Sequence, residues 1–231
     1  MARLYLFAEG QTEQTFADTV LAPHLASHAV YLQGSVLIAH ARKKQRIHRG
    51  GGRRYLPMRN DVLRFTAQEK GRDVFFTSMI DLYAIHGDFP GLDDAEKLRH
   101  DPYQRVEQLE NAWGQDIADP RFIPFIQLHE FEAYLFTEPE EFRLFYPGAG
   151  RQISRLRDIA DSHESPELID DGPNTAPSKR IIGEFPDYQR AKRTVGPQVG
   201  ELIGVQAIRV KCPHFDRWLS TLENLTEQHL A

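Results

Sequence analysis

One cysteine, Cys212, stands in 231 residues, which excludes an intrachain disulfide and any cysteine-rich zinc site and suits a reducing compartment. Beside Val210 and Pro213 it reads as a buried structural thiol. No apolar run approaches the roughly 20 residues of a membrane span. The first residues lead straight into a strand without signal-peptide architecture, so a cytoplasmic protein with no membrane partner is expected. The ten histidines read as scattered, without a pair at HExxH-type spacing, which leaves a zinc protease unsupported. Disorder is excluded over most of the length, since 41% hydrophobic and 10% aromatic residues are ordinary for a globular chain. The length allows one sizeable core with a smaller appendage.

Acidic residues are scarce in one place. The net charge of -5 comes from 28 basic and 33 acidic residues, yet Arg42, Lys43, Lys44, Arg46, Arg49, Arg53 and Arg54 follow one another with no acid between them. That leaves 21 basic residues against 33 acidic ones elsewhere, a net of -12. Gly50-Gly51-Gly52 interrupts the run, so residues 42–54 read as a mobile loop. Clustered Lys and Arg beside carboxylates suit contact with nucleic-acid phosphates; a solvated loop pairing with the acidic remainder is the alternative.

What is present is a repeated pattern of apolar strand followed by acid. Leu4-Tyr5-Leu6-Phe7-Ala8 ends in Glu9-Gly10-Gln11-Thr12-Glu13, with Gly10 allowing a sharp turn and Thr12 predicted to cap a helix that carries Glu13 in its first turn. The apolar run 73–80 stops at Asp81, and the run 121–128 stops at His129-Glu130-Phe131-Glu132. Three apolar strands thus each deliver a carboxylate at one end, and in open α/β sheets that end is where ligands bind. A second strand is predicted at 35–39 and a helix over 55–70. The order predicts an α/β fold with a mainly parallel sheet flanked by helices.

Residues 1–137 read as the core and 138–231 as a helical C-terminal region packed on it. Phe131–Phe136 is predicted to be a short amphipathic helix, and 213–222 a helix docking Phe215, Trp218, Leu219 and Leu222. In Pro177-Ser178-Lys179-Arg180, Ser178 is predicted to cap a helix whose first turn carries two cations, a placement that the helix dipole disfavours and a bound anion would offset.

Glu9, Asp81 and Glu130 or Glu132 form an all-oxygen set suited to Mg²⁺ or Mn²⁺ and not to zinc, with Glu13 and Asp88 as further candidate ligands. Ions held there would suit phosphodiester hydrolysis, with Glu132 or Glu13 as second ligand or base and Lys179 steadying transition-state charge. Arg180 joins the basic stretch as a candidate nucleic-acid contact.

Glu9-Gly10, an Asp after a central strand and a later acid resemble the pattern of Toprim domains, found in topoisomerases, primases and OLD-type nucleases. Glu9-Gly10-Gln11-Thr12-Glu13, Asp81-Leu82-Tyr83 with Asp88-Phe89-Pro90-Gly91, His129-Glu130-Phe131-Glu132-Ala133 and Pro177-Ser178-Lys179-Arg180 resemble, more narrowly, a bacterial Toprim-like family akin to RloB-like proteins. The resemblance runs from Glu9 to about Trp218. It implies a Toprim-like fold and a metal-dependent nuclease of DNA or RNA in phage or mobile-element defence, acting with an ABC-type or AAA-type ATPase. It leaves a homodimer open. The second acid of the Toprim Asp-x-Asp pattern is Tyr83 here, which keeps a one-metal site or a catalytically inactive regulatory subunit as the competing expectation. Turnover of a small nucleotide is a third.

Overall fold

The computed structural model describes residues 1–38, 55–169, 172 and 174–226. The basic stretch 42–54 lies outside the described residues. Five strands form one sheet, β1 (Ala2–Ala8), β2 (Val30–Leu37), β3 (Val74–Asp81), β4 (Phe122–Ile123) and β5 (Ile126–Gln127). The order is β2-β1-β3-β4, with β5 also on β3, and every pairing is parallel. The α/β expectation is met.

Alternation along β1 explains why its sequence is apolar at successive positions. Leu4, Leu6 and Ala8 face one apolar cluster while Phe7 faces the other, as a parallel strand covered on both sides requires. The second cluster is closed by α3 (Tyr55–Gln68) and α5 (Pro102–Ile117) through Val62, Leu109 and Trp113, with the short α4 (Leu92–Glu96) contributing Ala95. The first is closed by α1 (Gln11–Phe16), α2 (Ala22–Ala26), α6 (Gly150–Asp161), α7 (Pro177–Glu184), α8 (Tyr188–Lys211) and α9 (Pro213–Glu223). It joins residues from both sides of position 137. Among the described residues no helix is long and apolar enough to cross a membrane.

Several local expectations change. The run 121–128 is two short strands, because Pro124 has no N–H to give the ladder. The Ser78 hydroxyl fills the gap, donating to Phe125 O at 3.0 Å and accepting from Phe125 N–H at 2.8 Å. Phe131–Phe136 is a 3-10 helix, buried at every residue and so not amphipathic. Gly10, not Thr12, is the N-cap of α1; Thr12 lies inside the helix and is buried. Between α1 and α2, residues Ala17–Leu21 widen into a π-helical turn just before Pro23, which cannot donate to the carbonyl four residues back.

The C-terminal helices are tied to the sheet by polar bonds. Trp218 Nε1 donates to Thr77 Oγ1 at 2.8 Å, and Thr77 passes its proton to Ile123 O at 2.7 Å. Glu167 accepts the N–H groups of His214 and Phe215, satisfying the first turn of α9. α8 lies against α1 through glycines: a Cβ on Gly200 would sit 3.1 Å from a Phe16 ring carbon, and one on Gly196 would sit 3.7 Å from Thr12 Cγ2. Gly204, at φ 77°, then breaks α8 before its last turns.

Gly200→Val is therefore expected to lower stability by about 1–3 kcal/mol through overpacking against Phe16. Urea denaturation checks it; an unchanged midpoint would remove the close approach of α8 and α1 from the account.

A buried carboxylate cluster at the carboxyl edge of the sheet

β1 and β3 end side by side, and their last residues reach across. Glu9 N–H donates to Met79 O at 3.1 Å, one step past the ladder, and the Glu9 side chain then accepts Asp81 N–H on Oε2 at 2.8 Å. The carboxylate thus takes a donor that the end of the sheet would leave unpaired. Asp81, 3% exposed, is fixed by its own acceptor bonds: Oδ1 receives Gln127 Nε2 at 2.7 Å and Phe131 N–H at 3.1 Å.

After β5 the chain turns at His129, whose φ of 67° lies in the left-handed region that non-glycine residues rarely adopt. This turn sends Glu130 and Glu132 inward, to 3% and 0% exposure. Glu130 accepts both Ser178 N–H and Ser178 Oγ, the latter at 3.0 Å. Ser178 is the second residue of α7 and Ala176 is its N-cap, so the serine is not the predicted cap. The anion expected at that helix start is the chain's own Glu130. Glu132 accepts the Tyr188 hydroxyl on Oε1 at 3.2 Å.

Among the described residues, one cation meets this group. Lys192 Nζ lies 2.9 Å from Glu132 Oε2, outside hydrogen-bond geometry, and 3.7 Å from Glu130 Oε2. Sequence reasoning assigned the cation to Lys179, which is exposed on α7. Arg180 donates to Thr175 O at 2.7 Å. Asp88 accepts Tyr55 N–H at 3.2 Å at the start of α3. Lys192 had a legible signal: Tyr188, Lys192, Gly196 and Gly200 recur at intervals of four and so share one face of α8.

Burial without enough positive charge drives the electrostatics. Glu13, 5% exposed in the first turn of α1, is pushed up to about 8 by burial and then by the neighbouring Glu9 charge. Asp81 is raised well above the ordinary carboxylate range by burial and by Glu9, Glu13 and Glu130. Burial raises Glu132 to about 7 even though Lys192 pulls it down. Burial alone would lower Lys192, but Glu132, Glu130 and Asp81 outweigh it and hold its proton firmly. Tyr83 is half-exposed beside the cluster, and Asp81 above all raises its phenol, followed by burial and by Glu9, Glu130 and Glu132. Tyr83, two residues past Asp81, is thus a phenol within the field of the same carboxylates.

Glu9, Glu13, Asp81, Glu130 and Glu132 are accordingly brought together. They do not form a closed ligand cage. Among the described residues, the group of three metal-type side chains whose donor atoms all lie within 4.8 Å of one another is His24, His28 and Glu223, elsewhere in the fold.

Fold and site define an α/β protein with a parallel sheet whose carboxyl edge holds an acidic cluster, opposed among the described residues by Lys192. The chain belongs to the family described as Domain of unknown function (DUF4276), whose model matches residues 8–223 and so spans all five carboxylates, Ser178 and Lys192. No curated protein and no solved structure gives a significant match.

The raised carboxyls make stability depend on pH. The folded chain keeps the Glu13 proton to about pH 8, whereas the unfolded chain releases it near 4.5. The folded state therefore binds more protons in that window, and stability falls as pH rises through it. With divalent ions chelated, a loss on the order of 1–3 kcal/mol is expected between about pH 5 and pH 8. Glu13→Gln should flatten that slope and melt higher than wild type at pH 8, with little difference at pH 5. Identical Tm-versus-pH curves would contradict the assignment.

Proposed function

We propose that this chain is a Mg²⁺- or Mn²⁺-dependent phosphodiesterase that cleaves DNA or RNA. The observation that carries the reading is the convergence of Glu9, Glu13, Asp81, Glu130 and Glu132 on one lysine at the ligand-binding edge of a parallel sheet. Buried like charges that raise one another's pKa mark a site built for a task more often than for stability.

The donor set fits a hard divalent ion. All its donors are oxygens, and it carries more carboxylates than Lys192 can balance. Mg²⁺ needs no closed cage, since it keeps several waters and is commonly held by one or two carboxylates. Glu9 and Asp81, joined through the Asp81 N–H, with Glu130 beside them, are the residues that would hold it. When bound, such an ion supplies an activated water and charge stabilisation at the scissile phosphate.

The chain's own groups do the rest. Lys192 offers its ammonium to a phosphate oxygen, the part first assigned to Lys179. Tyr83, half-exposed beside the cluster, offers a hydroxyl donor. Glu13 and Glu132, raised to about 8 and about 7, hold or release a proton near neutral pH, where general acid–base groups work best. The basic stretch 42–54 supplies phosphate contacts. The resemblance to Toprim-like proteins supports a cytoplasmic role in phage or mobile-element defence beside an ABC-type or AAA-type ATPase.

Tyr83 in place of an acid favours a second reading, a catalytically inactive nucleic-acid-binding or regulatory subunit of that ATPase. Asp81→Asn separates the two, because the amide Oδ1 can still accept from Gln127 and Phe131 while the charge is gone. The variant should fold normally and lose at least roughly 10–100-fold in Mn²⁺ affinity, with parallel loss of Mg²⁺- or Mn²⁺-stimulated cleavage, assayed with and without the ATPase. Unchanged metal binding and cleavage would sink the catalytic reading. Neutralising several of Arg42 to Arg54 should flatten the salt dependence of nucleic-acid binding, by a slope of roughly 0.9 per lost phosphate contact. An equal slope in wild type and variant would reduce the stretch to a solvated surface.

A further inference from the structure

A second cluster of ligand-type side chains lies away from the acidic site, where α2 meets the last turn of α9. His24 Nε2 is 2.6 Å from Glu223 Oε1, and His28 Nε2 is 3.7 Å from the same oxygen. The two imidazoles lie 5.2 Å apart, centre to centre, at 43°. Contrary to the expectation of no pair at HExxH-type spacing, His24 and His28 stand four residues apart, which puts both on one side of the helix end, as in the His pair of an HExxH site. Here the acid between them is missing, and the carboxylate comes from 195 positions beyond His28.

We infer that His24, His28 and Glu223 bind one transition-metal ion of the Zn²⁺ class, which joins α2 to the end of α9. Two imidazole nitrogens and one carboxylate oxygen are the donors of a three-ligand zinc site with a fourth position left to solvent. The set does not suit Mg²⁺, so this site and the acidic cluster select different ions. Zinc bonds of about 2.0–2.2 Å place tetrahedral ligands roughly 3–3.5 Å apart. The 2.6 Å contact must open by less than about 1 Å and the 3.7 Å contact close slightly to admit it. The His28 side chain is 41% exposed, which gives the ion a way in and the fourth position a water.

Arg209 is the group that argues against a cation here, since Nη1 lies 2.8 Å from Glu223 Oε1 and Nη2 3.3 Å from Oε2. It is not stranded if Oε1 turns to a metal. Its Nε donates to Asp216 Oδ1 at 2.6 Å and Nη2 to Ser220 Oγ at 2.9 Å, and Nη2 can keep Glu223 Oε2. A ligating carboxylate whose other oxygen is hydrogen-bonded is the usual arrangement around such ions.

Titration of the full chain with Co²⁺ and Zn²⁺ tests the site, read by visible d–d absorption, calorimetry and Tm. Wild type should bind one Co²⁺ with nitrogen-ligand absorption, lose it to Zn²⁺ and not to Mg²⁺, and gain Tm with Zn²⁺. His28→Ala, at an exposed position where circular dichroism should stay unchanged, should weaken Zn²⁺ binding at least roughly tenfold and abolish the Tm gain. His28→Gln should behave alike. Asp81→Asn should leave the Co²⁺ spectrum intact, so failure here is distinguishable from failure of the acidic site. Absence of stoichiometric binding, wild-type affinity in both His28 variants, or loss of the ion in Asp81→Asn alone would each overturn the inference and leave a charge clamp between helices.

Discussion

The structure depends on holding five carboxylates together, four of them buried and Glu9 partly so. Taking an unpaired charge from solvent costs several kcal/mol even after relaxation, and like charges raise that cost. Four of the five are met by something brought from elsewhere: Asp81 N–H at Glu9, Gln127 at Asp81, the first turn of α7 at Glu130, Tyr188 and Lys192 at Glu132. The packing follows from the same need. Lys192 can reach Glu132 only if α8 lies close to the 3-10 helix Phe131–Phe136, and a Cβ on Gly196 or Gly200, at the next two turns of the same helix face, would sit 3.7 or 3.4 Å from the Phe131 ring.

These partners do not neutralise the group. Among the described residues one ammonium faces five carboxyls, and protons on Glu13 and Glu132 make up part of the difference near neutral pH. A core built for stability alone would have placed apolar side chains there, since well-packed hydrophobic replacements of buried ions are often neutral or stabilising. On the reading proposed here, a divalent ion replaces those protons, and the cost of the empty arrangement is borne for the binding it permits.

Much of this was legible because it is local. Glu9, Asp81 and Glu130 announce themselves as acids at the ends of apolar runs, and in a parallel sheet all strands of one orientation end on one edge. What escaped was long-range or stereochemical. Nothing near Ser178 says that its N–H and hydroxyl serve a carboxylate 48 positions away. Thr12 looked like a cap because hydroxyl residues favour that position, but Gly10 turns the chain two residues sooner and Thr12 is buried. The i, i+4 face of α8 and the His24–His28 pair were written in the sequence with correct spacing. Their meaning depended on partners from distant elements, Glu132 in one case and Glu223 in the other.

Anomalous diffraction from crystals soaked in Mn²⁺ tests the central claim most directly, because it locates an ion without assuming an activity. The account predicts a peak bonded at roughly 2.0–2.6 Å to carboxylate oxygens of Glu9 and Asp81, with Glu130 or its waters completing the shell. No peak at the carboxyl edge of the sheet at saturating Mn²⁺, with the five carboxylates still held by Ser178, Tyr188 and Lys192, would contradict it.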